Sequence, residues 1–114
     1  MLDGDWQLLG ARLGDQPIEI PGGRMTIADG RYTVDTPAGQ DGGTVVLRAE
    51  LDPMEIDLVG TQGPHAGTTI RAVIRLKGEL LQLVYDVGGG RRPRDFTARS
   101  GTSVVAVRYK RVGA

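Results

Sequence analysis

The 114-residue chain contains no cysteine, which removes disulfides, thiol nucleophiles and thiolate metal sites together. That absence fits a reducing compartment without requiring one. There is a single histidine, His65, so a metal site has to be dominated by carboxylates, and a serine nucleophile has one imidazole at most to act as base. Aromatics are scarce too. One Trp, three Tyr and one Phe do not make the exposed stacking platform on which single-stranded nucleic acid lies. Neither sign of charge prevails: 14 Lys and Arg face 14 Asp and Glu, and a formal net charge of zero gives no global field to draw in nucleic acid or anionic lipid. No apolar run approaches the ~18–20 residues of a membrane-spanning helix, and no basic and then apolar leader precedes Trp6. The chain starts almost on its first strand. It is either leaderless and cytoplasmic as it stands, or exported with a leader or partner domain removed, and both readings stay open. No segment keeps a 3.6-residue apolar period long enough for a core helix.

What is present is punctuation. Glycine (18) and proline (6) make up about a fifth of the chain and cluster between segments of alternating apolar and polar residues. The alternation predicts strands over 5–13, 16–20, 24–27, 31–36, 44–51, 54–59, 69–77, 79–87 and 103–111, with a short one over 96–99. Asp29-Gly30 supplies the left-handed pair of a type I′ hairpin. Loops are expected over 37–43, 60–67 and 88–94. Inward faces are assigned to Trp6 and Leu8, Tyr32 and Val34, Val45 and Leu47, Ile56 and Leu58, Ile70 to Leu76 in alternation, Leu81 to Tyr85, and Val105 to Tyr109. The expected architecture is a single all-β domain over residues 1–114, an antiparallel up-and-down barrel of about eight to nine short strands, with no exposed sheet edge.

Chemistry is thin. Glu55 and Asp57 share a strand face about 7 Å apart, a spacing that suits acid–base work, but their parity turns them to solvent. Asp3 and Asp5 flank the start of the first strand. Ser100 and Ser103 lie in a loop with no strand–turn–helix elbow around them. Gly42-Gly43 and Gly88-Gly89-Gly90 precede no helix, so they are hairpin connections and not phosphate loops. His65, in Gly63-Pro64-His65-Ala66-Gly67, reads as a solvated loop residue. No catalytic set, metal set or cofactor follows. The one local charge asymmetry is Arg91-Arg92-Pro93-Arg94 with Arg99 nearby. Its arginines either capture an anionic group at a barrel mouth or are solvated and balanced by Asp86 and Asp95. The interior is apolar with Tyr32, Tyr85 and Tyr109 as polar handles. A barrel of this size is either filled by side chains or holds one small ligand. Val46, Val73 and Val84 fall on outward parities and predict an exposed apolar patch, compatible with a monomer or a weak homodimer.

Gly4-Asp5-Trp6 at the chain start, with Arg108, Lys110 and Arg111 on the last strand, is the pattern by which small lipocalin-like barrels close their base. The indole buries a large apolar area, and a cation, expected to be Arg108 or Lys110, lies over its face. Other marks follow in order: Gly14-Asp15-Gln16-Pro17-Ile18, Asp29-Gly30-Arg31-Tyr32-Thr33-Val34, and Leu51-Asp52-Pro53-Met54-Glu55-Ile56-Asp57-Leu58. Gly63 to Ile70 and Arg92-Pro93-Arg94-Asp95-Phe96-Thr97 complete the set. From Leu2 to Arg111 the chain resembles an uncharacterised lipocalin-like, calycin-type domain family expanded in planctomycetes and found in scattered other bacteria. The resemblance implies an antiparallel barrel. That family has no agreed activity, so no catalytic residue is carried over. The expected function is non-enzymatic: binding of a small apolar or amphipathic ligand in the barrel, with Arg91, Arg92, Arg94, Tyr32 and Tyr85 as ligand contacts. The alternative is a protein-interaction or structural module acting through its outer surface or loops.

Overall fold

Period-two alternation leaves every segment with one face to bury, and the glycine-rich turns fold each segment back on its predecessor. The computed structural model describes residues 2–19, 23–36, 39–64, 66–88 and 91–112, and within them every regular element is a strand. The strands are β1 (Gly4–Leu13), β2 (Gln16–Ile18), β3 (Arg24–Ala28), β4 (Arg31–Thr36), β5 (Gly39–Arg48), β6 (Met54–Gln62), β7 (Thr69–Lys77), β8 (Leu80–Asp86) and β9 (Val104–Val112). They form one antiparallel sheet in the order β2-β1-β3-β4-β5-β6-β7-β8-β9, and a further ladder between β1 and β9 closes it. β3 pairs with Gly4–Gln7 and β2 with Ala11–Leu13, so the two share one edge of β1 and act as a single interrupted stave. The result is an eight-stave up-and-down barrel with one extra strand.

Local chemistry explains the corners. Asp29 and Gly30 take φ of 54° and 74°, the left-handed pair that a two-residue hairpin requires. β5 begins earlier than the glycine-rich 37–43 stretch predicts, because Gly39–Gly43 pairs in register with Tyr32–Thr36. A β-bulge between Gly42 and Gly43 brings β6 so close that a Cβ on Gly43 would sit 1.8 Å from the Val59 carbonyl oxygen. Glycine is what that approach demands. β6 likewise continues to Gln62, beyond its expected end, and 96–99 is not a strand.

Trp6 is fully buried at one end of the barrel, with its Nε1 donating to the Leu2 carbonyl at 2.9 Å. The cation over the indole is neither Arg108 nor Lys110, as expected from sequence, but Arg111, whose Cζ lies 4.3 Å from the ring centroid. The reason is parity. Trp6 faces inward, so its cation has to come from the inward set of β9, and Arg111 continues Val105, Val107 and Tyr109 while Arg108 and Lys110 face outward and are exposed. Arg111 stands directly opposite Trp6, and its Nη1 donates to the Asp3 carbonyl at 2.7 Å. A Cβ on Gly4, which has φ of 144°, would lie 2.8 Å from that same Nη1. The small first residue of the Gly-x-Trp step makes room for the guanidinium.

Replacing Arg111 with Met keeps the stem but removes the cation–π contact and the charged donor. R111M should lose about 1–2 kcal/mol in urea denaturation, whereas R108M and K110M should stay within about 0.5 kcal/mol of the parent.

Candidate functional site

The inner wall is mainly aliphatic. Ile56, Ile74, Leu81 and Val107 are each 1% exposed, which fills the middle of the barrel. At the end opposite Trp6, where β6 leads out at Gln62 and β8 at Asp86, the inward side chains Val34, Ile70 and Tyr85 are only half-buried. Polar groups on this wall are few. Tyr85 and Tyr109 come from neighbouring strands, on either side of the Leu83–Val107 pair. Burial raises the Tyr85 phenol, and burial together with the charge of Tyr85 pushes Tyr109 up to about 12. Neither hydroxyl hydrogen-bonds to any described residue. Among the described residues the one sealed side-chain nitrogen or oxygen without a hydrogen-bond partner is Arg48 Nη1, so both phenol oxygens keep access to open space. The remaining inward polar pair is Tyr32, 6% exposed, and Asp41, 7% exposed. Burial and then the Asp41 charge raise the Tyr32 phenol. Gly63 closes over Asp41: a Cβ there would be 2.6 Å from the carboxylate Oδ1.

The basic loop does something other than ring a mouth. Segment 91–103 returns across the outside of β6–β9. Arg92 Nη1 donates to the carbonyls of Ile56 (3.1 Å) and Ala72 (2.9 Å), which face each other across β6 and β7. Its Nη2 donates to Asp57 at 2.5 Å, and its Nε lies 3.2 Å from Glu55. Arg48 completes the set, 3.2 Å from Asp57 and 3.7 Å from Glu55. Glu55 and Asp57 therefore do face outward, but they end up inside a neutral four-charge network instead of in free solvent. Burial alone would raise the Asp57 carboxyl, yet the hydrogen bonds and charges of Arg92 and Arg48 outweigh it and hold it below the usual range.

Further along, Phe96 lies over Arg75, 4.3 Å from guanidinium to ring centroid, and Asp95 pairs with Arg99 at 3.2 Å. The segment ends where Ser103 donates to Asp86. Val73 and Val84 face each other on the outward side of β7 and β8 and are 1% and 0% exposed beneath it, so two members of the predicted apolar patch are buried. Only Val46, 41% exposed, remains.

The five predicted ligand contacts are thus separated. Tyr32 and Tyr85 lie inside, Arg92 is locked to the outer wall, and Arg91 and Arg94 are exposed and join neither group. His65 lies outside the described residues. Among the described residues no cluster of three or more His, Asp or Glu can hold a metal, and no helix is long and apolar enough to cross a membrane. Compared with models of protein families, with curated proteins and with solved structures, the chain matches none.

Two pH responses follow, of opposite sign. A tyrosine bound more tightly to its proton in the fold stabilises it below an unfolded pKa of about 10 and loses that contribution as pH rises. Stability should therefore fall between pH 10 and about 12 as Tyr109 ionises, and Y109F should flatten that fall in alkaline urea titrations. Asp57 acts in the acid limb: its contribution is complete above about pH 4 and lost as pH drops through its lowered folded value. R92M should cost about 1–3 kcal/mol at pH 7, with a shallower acid loss than the parent.

Proposed function

We propose that the chain is a non-enzymatic lipocalin-like barrel, of the family it resembles, that binds one small amphipathic ligand between its staves. The observation that carries this reading is the pair of phenols on β8 and β9, two hydrogen-bond donors in an aliphatic interior with no protein acceptor. A site with one or two polar groups in apolar walls is the ordinary form of a small-ligand pocket. The ligand class follows from the wall. It has an apolar body and an acceptor oxygen for Tyr85 and Tyr109. It is neutral, because the Asp41 charge already raises the neighbouring Tyr32 phenol and would repel an anion. The half-buried Val34, Ile70 and Tyr85 mark the end through which it enters.

A second reading, an interaction module, draws on Leu9 and Leu80, 50% and 49% exposed on the outer face. Light scattering separates the homomeric form of that reading from a monomeric binding protein.

The neutral naphthyl ketone Prodan tests the first reading, since its emission shifts to the blue in an apolar site and its carbonyl accepts a hydrogen bond. A saturable blue shift is expected, with affinity weakened about tenfold in Y85F/Y109F. An unshifted spectrum at every protein concentration would overturn it.

A further inference from the structure

We propose that the outer wall of the barrel carries a second, separate site, for a small carboxylate with an apolar tail or ring. A groove of about 940 Å³ lies between the returning segment 96–98 and the outward faces of β1, β8 and β9. Its origin is a run of missing side chains. Gly10 and Ala106 leave the sheet bare at its floor, while Phe96 and Ala98 of the returning segment form one bank and Ile18 the other. The volume falls in the range of small-molecule sites and not of a flat protein interface.

Charge sets the ligand's sign. Arg12 pairs with Ala106 and Arg108 with Gly10, so the two arginines are diagonal neighbours on adjacent strands and both line the groove. Like charges so placed repel, at a distance that long side chains span easily. Arg108 makes no ion pair or hydrogen bond with any described residue, and its Nη2 lies 3.3 Å from where a Gly10 Cβ would be, over the bare floor. Arg12 is oriented by a bond from its Nη2 to the Asp15 carbonyl at 3.2 Å. The Asp15 carboxylate, the one acid on the rim, already accepts from Gln16 at 3.2 Å. An anionic head between Arg12 and Arg108 relieves their repulsion with charge-assisted bonds, and an apolar body covers Phe96, Ala98 and Ile18. Arg75 supports the bank from behind, stacked on Phe96 and donating to Gln82.

Decanoate, acetate and 1-decanol, titrated by calorimetry and by amide chemical shifts, test the site. Decanoate should bind with shifts at Gly10, Ala98 and Ala106, weaken as salt is added, and outbind both acetate and decanol. R12Q/R108Q should weaken it at least about tenfold. A106L, an outward change that fills the floor and spares the core, should do the same. Y85F/Y109F should leave it unchanged, which keeps this site distinct from the interior one. The proposal is overturned if decanoate binds the double arginine variant or A106L as tightly as the parent. It is also overturned if decanoate responds to the tyrosine variant instead, or fails to bind.

Discussion

The ladder between β1 and β9 closes the sheet into a barrel, and among the described strands only the far side of the short β2 is left without a strand partner. Eight residue pairs join Asp5–Leu13 to Val105–Val112, and without them two rows of backbone donors and acceptors would stand ready to pair with another molecule. The same seam holds the base plug. Trp6 sits within the ladder, Arg111 lies over it from the opposite strand, and Gly4 clears the space the guanidinium needs. Closing the sheet and sealing its base are one structural event carried by the first and last strands. The bulge at Leu9 belongs to this seam as well, since it pushes Leu9 out to solvent and resets the parity so that Ala11 returns to the core.

Outside the barrel, polar and apolar contributions divide the work of holding segment 91–103. The part-buried Arg48–Glu55–Asp57–Arg92 network fixes where the segment crosses, with Arg92 tied to the carbonyls of β6 and β7. The larger contribution is apolar: complete burial of Val73 and Val84 stabilises by roughly 1.5–3 kcal/mol each. The segment also sorts the chemistry of the molecule. Its neutral network lies over β5–β7, while the wall from β7 to β1 keeps Arg12, Arg75 and Arg108 on the surface. The interior, by contrast, offers phenols and one buried carboxylate.

Most of the barrel was legible in the sequence because period-two alternation and glycine punctuation are local signals. The Asp29-Gly30 hairpin and the inward sets of β4, β6, β7 and β8 depend on nothing further away than the next strand. Gly39–Gly43 was misread as a loop because glycines carry no alternation to see, although backbone pairing needs none. Arg111 was within reach: a cation over an inward indole must share the inward parity of Val105, Val107 and Tyr109, and that rule excludes Arg108 and Lys110. The fate of Val73, Val84 and Arg92 was not legible, since it depends on a loop without regular structure lying across four strands. The arrangement of Tyr85 and Tyr109 was half legible. Both were assigned inward, but their placement on either side of the Leu83–Val107 pair comes from the β8–β9 register.

A chain whose first strand must pair with its last has a timetable as well as a shape. β2 and β3 both pair back onto β1, and from β4 to β9 each strand pairs with the one before it, a local step. The other edge of β1 has β9 as its partner, a pairing between the strands furthest apart in sequence. Trp6 lies on that edge opposite Arg111, so its cover comes from the described strand most distant from it in sequence. Until that long-range pairing forms, the sheet is open with a bare indole at its edge, and the pairing is what makes it a closed vessel.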